Sequence, residues 1–264
     1  LYNWYDINTK KPVNRFVSSV DSGNLVACLI VCREFYKKHN DDVNELKTDL
    51  LIINTDLEAL YDESKKLFFI GYDGENYVGH YDLLNSESRI LSTIFMAYKK
   101  NTDNFKCLQR DYSSYGGNTL LSWSGTAFET LMPSLFISAP RYSLIYDTEN
   151  NVAKAQCENR YNGLFGIGES GFYSLDEQLR YQYYAFGIRR LSLKNENTLP
   201  VISPYSSAIC LKYLPKETIK NLIKSEENGM VGEYGFFEAY DMRKGGGKVY
   251  SHMTHHQGMI LCAI

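Results

Sequence analysis

The chain has 264 residues, enough for one large domain or two small ones, and its formal net charge is −3. That charge excludes the basic field that recruits nucleic acid or an anionic membrane surface. No apolar run approaches the roughly 20 residues that a membrane helix needs, and no signal peptide opens the chain.

Helical patterns dominate the chain in sequence order. Asp21 or Ser22 is predicted to cap a first helix whose apolar residues fall at three- and four-residue spacing. The further predicted helices cover residues 41–61, a stretch opening at Ser86, and residues 126–137 (broken or kinked at Pro133), 143–160, 204–213, 216–228 and 250–264. Short strands are predicted at 67–72 and near 191–193. No strand–helix alternation appears, which argues against a parallel α/β sheet.

Long helices joined by loops rich in Gly, Trp, Tyr, Asp and Glu favour an all-α fold in which helices pair into a ring. The loops at one end of such an α/α barrel form the site. A complete barrel of six hairpins has twelve helices, and 264 divided by twelve leaves 22 residues for each helix and loop. Because 22 residues are few for a helix and a long loop, we expect an incomplete or trimmed α/α barrel. We expect it to form a single domain over 1–264, with minor short strands in its loops.

The ends of the chain favour an origin in a longer protein. The first residue is Leu1 rather than an initiator Met, and the last six residues form an apolar run. We therefore expect any membrane contact to come only through flanking parts. The six cysteines form no CxxC pair and read as free thiols in a reducing compartment. We expect a cytoplasmic location or one on the cytoplasmic membrane face, with a secreted or periplasmic location as the alternative.

Aromatic residues make up 14% of the chain, and their rings suit the apolar faces and hydroxyl rims of sugars. Glycoside cleavage needs a proton donor and a second carboxylate acting as base or nucleophile. Four acids lie among glycines and aromatic residues, namely Asp21, Glu129, Glu169 and Glu238. The pattern favours Glu169 and Glu238 as the catalytic pair. Asp21 could instead be a helix cap, and Glu129 could instead hold a helix or loop.

The histidines His252, His255 and His256 lie in a His-Met-Thr-His-His run. The glutamate of an HExxH metal site is missing, so neither a metal nor another cofactor is predicted. His255, His256 and Gln257 are predicted instead to bind sugar hydroxyls or orient a carboxylate.

Ten segments together resemble the glucoamylase-like domain of cyclic β-1,2-glucan synthases and the related endo-β-1,2-glucanases. They occur in family order and span nearly the whole chain. They are residues 2–6 (YNWYD), 17–25 (VSSVDSGNL), 70–73, 81–89 (YDLLNSESR), 121–126, 128–133, 166–170 (GIGES), 181–187 (YQYYAFG), 234–239 (YGFFEA) and 255–259 (HHQGM).

The resemblance implies an (α/α)6 barrel, no required metal, and action on a β-glucan oligo- or polysaccharide. The reaction is either hydrolysis of β-1,2-glucan or transglycosylation that closes a linear glucan into a ring. The substrate-binding residues predicted on these segments are Trp4, Tyr5, Tyr81, Asp82, Arg89, Trp123, Gln182, Tyr183, Phe237, His255, His256 and Gln257. Phe165 and Gly168 depart from the Trp and Ser usual there, which leaves open a shifted specificity or weakened activity at Glu169.

Two alternatives stay open at this point. A non-catalytic carbohydrate-binding domain of a larger polysaccharide-processing protein would carry the same aromatic loops. A different α/α enzyme would act on another polysaccharide. Retaining and inverting chemistry depend on the separation of the two carboxyl groups, which the sequence does not give.

Overall fold

The computed structural model describes residues 1–264. The chain divides into two compact units, Leu1–Gln109 and Arg110–Ile264. A single domain over 1–264 therefore stays a prediction. None of the helices combines the length and the apolar character that a membrane span requires.

The first unit combines four helices with one antiparallel sheet. Its helices are α1 (Ser19–Lys38), α2 (Asp42–Ile53), α3 (Arg89–Lys99) and α4 (Asp103–Cys107). Its strands are β1 (Val17–Ser18), β2 (Tyr61–Asp62), β3 (Leu67–Tyr72) and β4 (Tyr77–Tyr81). Strand β3 pairs antiparallel with each of the other three, and the strand predicted at 67–72 is thereby confirmed.

The core of the first unit forms where β3 meets α3. Phe68 of β3 is 1% exposed and packs with Leu91 and Phe95 of α3. The rings of Phe68 and Phe95 meet edge to face at 5.0 Å, a favoured aromatic geometry. Gly23 lets α1 approach α3 closely, because a Cβ there would lie 2.7 Å from the Cβ of Leu91.

The start of α1 differs from the prediction. Ser18 is the N-cap, and its side chain accepts a hydrogen bond from the amide of Asp21 at 3.1 Å. The prediction of Asp21 or Ser22 as the cap was therefore wrong. Ser18 ends strand β1 in extended conformation, which is the backbone geometry of an N-cap. Asp21 lies in the first turn instead, where a carboxylate complements the helix dipole.

The second unit contains five helices and nine short strands. The helices are α5 (Ala127–Leu131), α6 (Leu144–Glu158), α7 (Pro204–Ala208), α8 (Pro215–Glu227) and α9 (Thr254–Ala263). The strands are β5 (Tyr112–Ser113), β6 (Thr119–Leu120), β7 (Glu169–Leu175), β8 (Tyr181–Ala185), β9 (Val201–Ile202), β10 (Val231–Gly232), β11 (Gly235–Phe236), β12 (Ala239–Asp241) and β13 (Lys248–Val249). Strand β12 is central to a three-stranded sheet, between β13 and β9.

Several elements of the second unit differ from the prediction in type or extent. The break at Pro133 is confirmed, since α5 gives way there to a 3-10 turn over Met132–Leu135. The strand predicted near 191–193 is reduced to an isolated parallel bridge between Ser192 and Ser122, which follows a 3-10 turn over Arg189–Leu191. The β7–β8 hairpin was not predicted, and Glu169 begins a strand rather than lying in a loop. The fold is helical with short strands, as expected, but the strands are more numerous than predicted.

Candidate functional site

The segment before Glu169 is held by side chains from distant helices. Gly166 has φ of +133° and accepts the amide of Ser203 at 2.8 Å, a backbone geometry open mainly to glycine. The fully buried amide of Gln156 accepts from the Ile167 N–H at 2.7 Å and donates to the Ile167 carbonyl at 2.8 Å. These hydrogen bonds fix the backbone conformation of the residues that lead into Glu169.

Gly168 lies against the start of α7 with no space for a side chain. A Cβ there would meet the Ser206 Oγ at 2.1 Å and the Tyr205 hydroxyl at 3.0 Å. That hydroxyl donates a hydrogen bond to the Glu169 carbonyl at 2.8 Å. With Ser206 and Tyr205 in these positions, the packing leaves no space for the Ser that is usual at this position of the resembling motif.

The Glu169 carboxyl is half-buried and accepts one long hydrogen bond. Burial, together with the nearby charge of Glu129, raises the pKa of Glu169 to about 7. The Tyr183 hydroxyl, 3.4 Å from Glu169 Oε2, and the charge of Lys194 act in the opposite direction. A carboxyl group that keeps its proton near neutral pH is suited to donate it to a leaving oxygen.

In contrast to Glu169, Glu129 accepts several hydrogen bonds through both of its carboxylate oxygens. Its Oε2 accepts the Ser122 hydroxyl at 2.8 Å and the Thr126 amide at 2.9 Å, and its Oε1 accepts the Ser124 amide at 2.9 Å. Thr126 in return accepts from the Glu129 amide, which completes a capping box at the start of α5. These contacts fit the alternative in which Glu129 holds a helix and its loop.

Glu238 is also buried, and each of its carboxylate oxygens has a hydrogen-bond partner. Its Oε1 accepts the Gly171 amide at 3.1 Å, and its Oε2 lies 2.9 Å from His256 Nδ1. Because a carboxylate only accepts, His256 carries its proton on Nδ1. The Tyr205 ring stacks on His256 at 3.7 Å between centroids. Glu238, at 2% exposure, therefore links β7 to α9 and does not open toward a ligand.

The other predicted substrate residues of the second unit divide by exposure. Trp123 is 58% exposed and Tyr183 46%, so both rings can meet a sugar. Gln182 is exposed on β8. Phe237 packs edge to face on Tyr250 at 5.0 Å.

The predicted residues of α9 are tied into the second unit. His255 meets the Phe128 ring edge to face at 5.6 Å. Gln257 donates to the Phe236 carbonyl at 2.8 Å. His256 is buried at 2% exposure, which argues against direct contact with sugar hydroxyls and for orientation of a carboxylate, the other role predicted for it.

The first unit carries the remaining predicted residues. Trp4 and Tyr5 are exposed, at 51% and 45%, and Asp21 is exposed and accepts a hydrogen bond from Asn3. Asp82 accepts from the Gln109 amide at 2.5 Å. The two remaining residues are the half-buried Tyr81 and the buried Arg89.

Sequence reasoning missed the contribution of Tyr205, which touches both His256 and the backbone of Glu169. Burial raises its pKa well above the ordinary value for tyrosine, so the hydroxyl stays a donor. Its only sequence signal is a position inside a predicted apolar helix. No group of three or more His, Cys, Asp or Glu side chains is arranged to hold a metal ion.

Comparison with protein families gives one matching family model over residues 91–264, described as "Putative glucoamylase". Among curated proteins, cyclic β-(1,2)-glucan synthase NdvB of Rhizobium meliloti is 33% identical over 232 residues. The match covers 81% of this chain but only 8% of the synthase.

Solved structures share the fold at low sequence identity. The endo-β-1,2-glucanase of Chitinophaga pinensis, in complex with sophorotriose and glucose, matches with a TM-score of 0.71 and 15% identity over 93% of this chain and 64% of that one. A mutant endo-β-1,2-glucanase of Talaromyces funiculosus, in complex with β-1,2-glucan, gives 0.71 and 13% over 95% and 58%. The chain thus spans less than two thirds of either glucanase.

Proposed function

The chain belongs to the glucoamylase-like family, and from that premise we propose that it is a glycoside hydrolase or transglycosylase acting on β-1,2-glucan. The names of its relatives support the substrate: one is a cyclic β-1,2-glucan synthase and the others are endo-β-1,2-glucanases. The observation that carries the proposal is the Glu169 carboxyl, whose burial raises its pKa to about 7.

In this mechanism Glu169 is the general acid. Its proton passes to the glycosidic oxygen as the C–O bond breaks, and the sugar leaves with a hydroxyl group. The oxygen of water in hydrolysis, or of a sugar hydroxyl in transglycosylation, then bonds to the anomeric carbon, and the proton that it loses returns to the Glu169 carboxylate. The exposed ring of Tyr183, beside Glu169, and the exposed ring of Trp123 supply apolar faces for the sugars.

The Glu238 and Glu129 carboxylates support the acid rather than react in this proposal. Glu238 holds β7 through Gly171 and fixes His256, while the charge of Glu129 helps to keep Glu169 protonated. The sequence pattern favoured Glu169 and Glu238 as the catalytic pair; in this proposal Glu238 becomes a positioning residue. Of the four predicted acids, Asp21 is the one with an exposed carboxylate, in the first unit.

We also propose that the helices belong to an (α/α)6 barrel that forms one domain over 1–264. The length of the synthase, of which this chain matches 8%, supports a place within a larger protein. A cytoplasmic location, or one on the cytoplasmic membrane face, stays a prediction.

Product analysis tests the proposal. The chain is incubated with linear β-1,2-glucan, and products are separated by chromatography and identified by mass spectrometry. Glu169→Gln keeps the shape but cannot donate the proton, so we expect turnover to fall about 10²–10⁴-fold. Glu177→Gln, at an exposed site in the same unit, is the matched control and should keep full activity.

Each outcome has a distinct meaning. Shorter linear products indicate hydrolysis, and cyclic products indicate transglycosylation. Glucan that is bound but unchanged by the unsubstituted chain would favour the non-catalytic carbohydrate-binding alternative. Full activity of Glu169→Gln would refute the assignment of the acid.

A further inference from the structure

The β7–β8 hairpin has a second aromatic face. Side chains alternate across paired strands, and Glu169 pairs with Ala185 while Ser170 pairs with Tyr184. Tyr183 therefore shares the face of Glu169, and Tyr184 lies on the other face with Phe172. The ring contact between Tyr184 and Phe186, at 5.2 Å, agrees with this placement.

A cavity of about 280 Å³ opens on this second face, within the second unit. Its aromatic lining comes from Phe172, Tyr184 and Phe186. The volume lies just below the range of about 300–1,000 Å³ typical of pockets for drug-sized ligands. It therefore suits one sugar ring better than an extended chain segment.

The charges around this cavity are paired within the protein. Arg243 donates from Nε and Nη2 to the two oxygens of the buried Asp241, at 2.9 and 2.7 Å. Its guanidinium lies over the rings of Phe172 and Phe186, at 5.0 and 5.6 Å. Because the Asp241 carboxylate already neutralises Arg243, the cavity offers no excess positive charge to an anion.

The remaining polar groups can bind hydroxyls. The Tyr184 hydroxyl donates to Glu196 Oε2 at 2.5 Å, and Lys194 Nζ lies 3.6 Å from Glu196 Oε1. Asn197 accepts from Arg189 through Oδ1, which leaves its Nδ2 amide free to donate. Carboxylate acceptors and N–H donors beside an exposed tyrosine ring match the hydroxyls and the apolar face of a neutral sugar.

We propose that this cavity binds one hexopyranose residue of a glucan chain, on the hairpin face opposite Glu169. The identity of the sugar as glucose in β-1,2 linkage rests on the proposed function. Lys194 Nζ lies over one face of the Tyr184 ring, 5.2 Å from its centroid, so the other face provides the stacking surface, and Glu196 and Asn197 provide the hydroxyl contacts. The site retains polysaccharide and takes no part in bond cleavage.

Isothermal titration calorimetry tests this site in the full chain carrying Glu169→Gln, so that the ligand is not consumed. A linear β-1,2-gluco-oligosaccharide of about ten residues is the probe. Adding Tyr184→Ala should weaken binding about tenfold, equivalent to the loss of about 1.4 kcal/mol. The matched control is Tyr142→Ala, at a 92% exposed tyrosine of the same unit, which should not change the affinity.

A second variant keeps the site testable if Tyr184→Ala fails to fold. Asn197→Ala removes an exposed side chain and should weaken binding about threefold, with melting temperature as the check on folding. Unchanged affinity in both folded variants would overturn the site while leaving the proposed function intact. Absence of glucan binding by the parent chain would overturn both. Loss of binding in Tyr184→Ala, combined with no cleavage by the unsubstituted chain, would support the site and reject the enzyme.

Discussion

The loop that carries Glu129 and the strand that begins at Glu169 treat their carboxylates in opposite ways. Glu129 accepts hydrogen bonds from two backbone amides and two hydroxyls. Glu169 has one long bond from Tyr183, and burial favours its neutral form. Both acids follow glycine- and aromatic-rich stretches. The number of hydrogen-bond donors around the carboxyl group, rather than the flanking residue types, distinguishes the structural Glu129 from the proposed proton donor Glu169.

The largest contrast is expected when both acids are changed to glutamine. Glu129→Gln replaces one acceptor oxygen with an NH2 group that faces other hydrogen-bond donors, which should cost about 1–3 kcal/mol of unfolding free energy. Glu169→Gln removes a poorly solvated carboxyl and should not lower the melting temperature at pH 8. Thermal unfolding followed by circular dichroism measures both, with Glu177→Gln as the exposed control. Equal destabilisation by the two changes would remove the distinction between these regions.

The contrast becomes testable with pH, because burial raises the pKa of Glu169 to about 7. As the acid must hold its proton, activity should be retained below its pKa of about 7 and fall about tenfold for each pH unit above it. The folded state also binds more protons than the unfolded state between the ordinary pKa of 4.5 and about 7. Stability should therefore decrease as pH rises through that window. A profile of kcat/KM against pH checks the first statement, and melting temperatures check the second.

The pH dependence of stability has its own control. Glu169→Gln should abolish the contribution of this group and flatten the melting-temperature profile between about pH 4.5 and 7. An unchanged slope in that variant would assign the effect to other groups.

The smallest effect is expected at Tyr183, the weak partner of Glu169. Tyr183→Phe removes the hydroxyl that lowers the pKa of Glu169, so the alkaline limb of activity should move upward by about half a pH unit or less. Loss of one weak hydrogen bond should change kcat by about twofold. Tyr181→Phe, two residues along the same strand, is the control. A downward shift of the limb would contradict the proposed interaction.

Local signals explain what could be predicted from the sequence. The spacing of Thr126 and Glu129 is that of a capping box, so the structural alternative for Glu129 was readable from neighbouring residues. The strand at 67–72 and the break at Pro133 could likewise be predicted from neighbouring residues alone.

Long-range contacts explain the rest. The partner of Glu238 is His256, and the backbone of Glu169 is held by Tyr205. Neither pairing has a periodic or motif signal, because it depends on how β7, α7 and α9 pack. The β7–β8 hairpin was missed for a related reason: its aromatic residues serve two different faces, so the chain shows no simple alternation of apolar and polar residues.

Gly168 gives the chain a means of adjusting its chemistry from outside the sugar-binding surface. Any side chain at this position presses on the Tyr205 hydroxyl, which holds the carbonyl of Glu169. A side chain at 168 would therefore displace the Glu169 backbone without changing any residue of the proposed sugar-binding surface. The residue that fits at 168 therefore depends on the residue at 206, whose Oγ would lie 2.1 Å from a Cβ at 168.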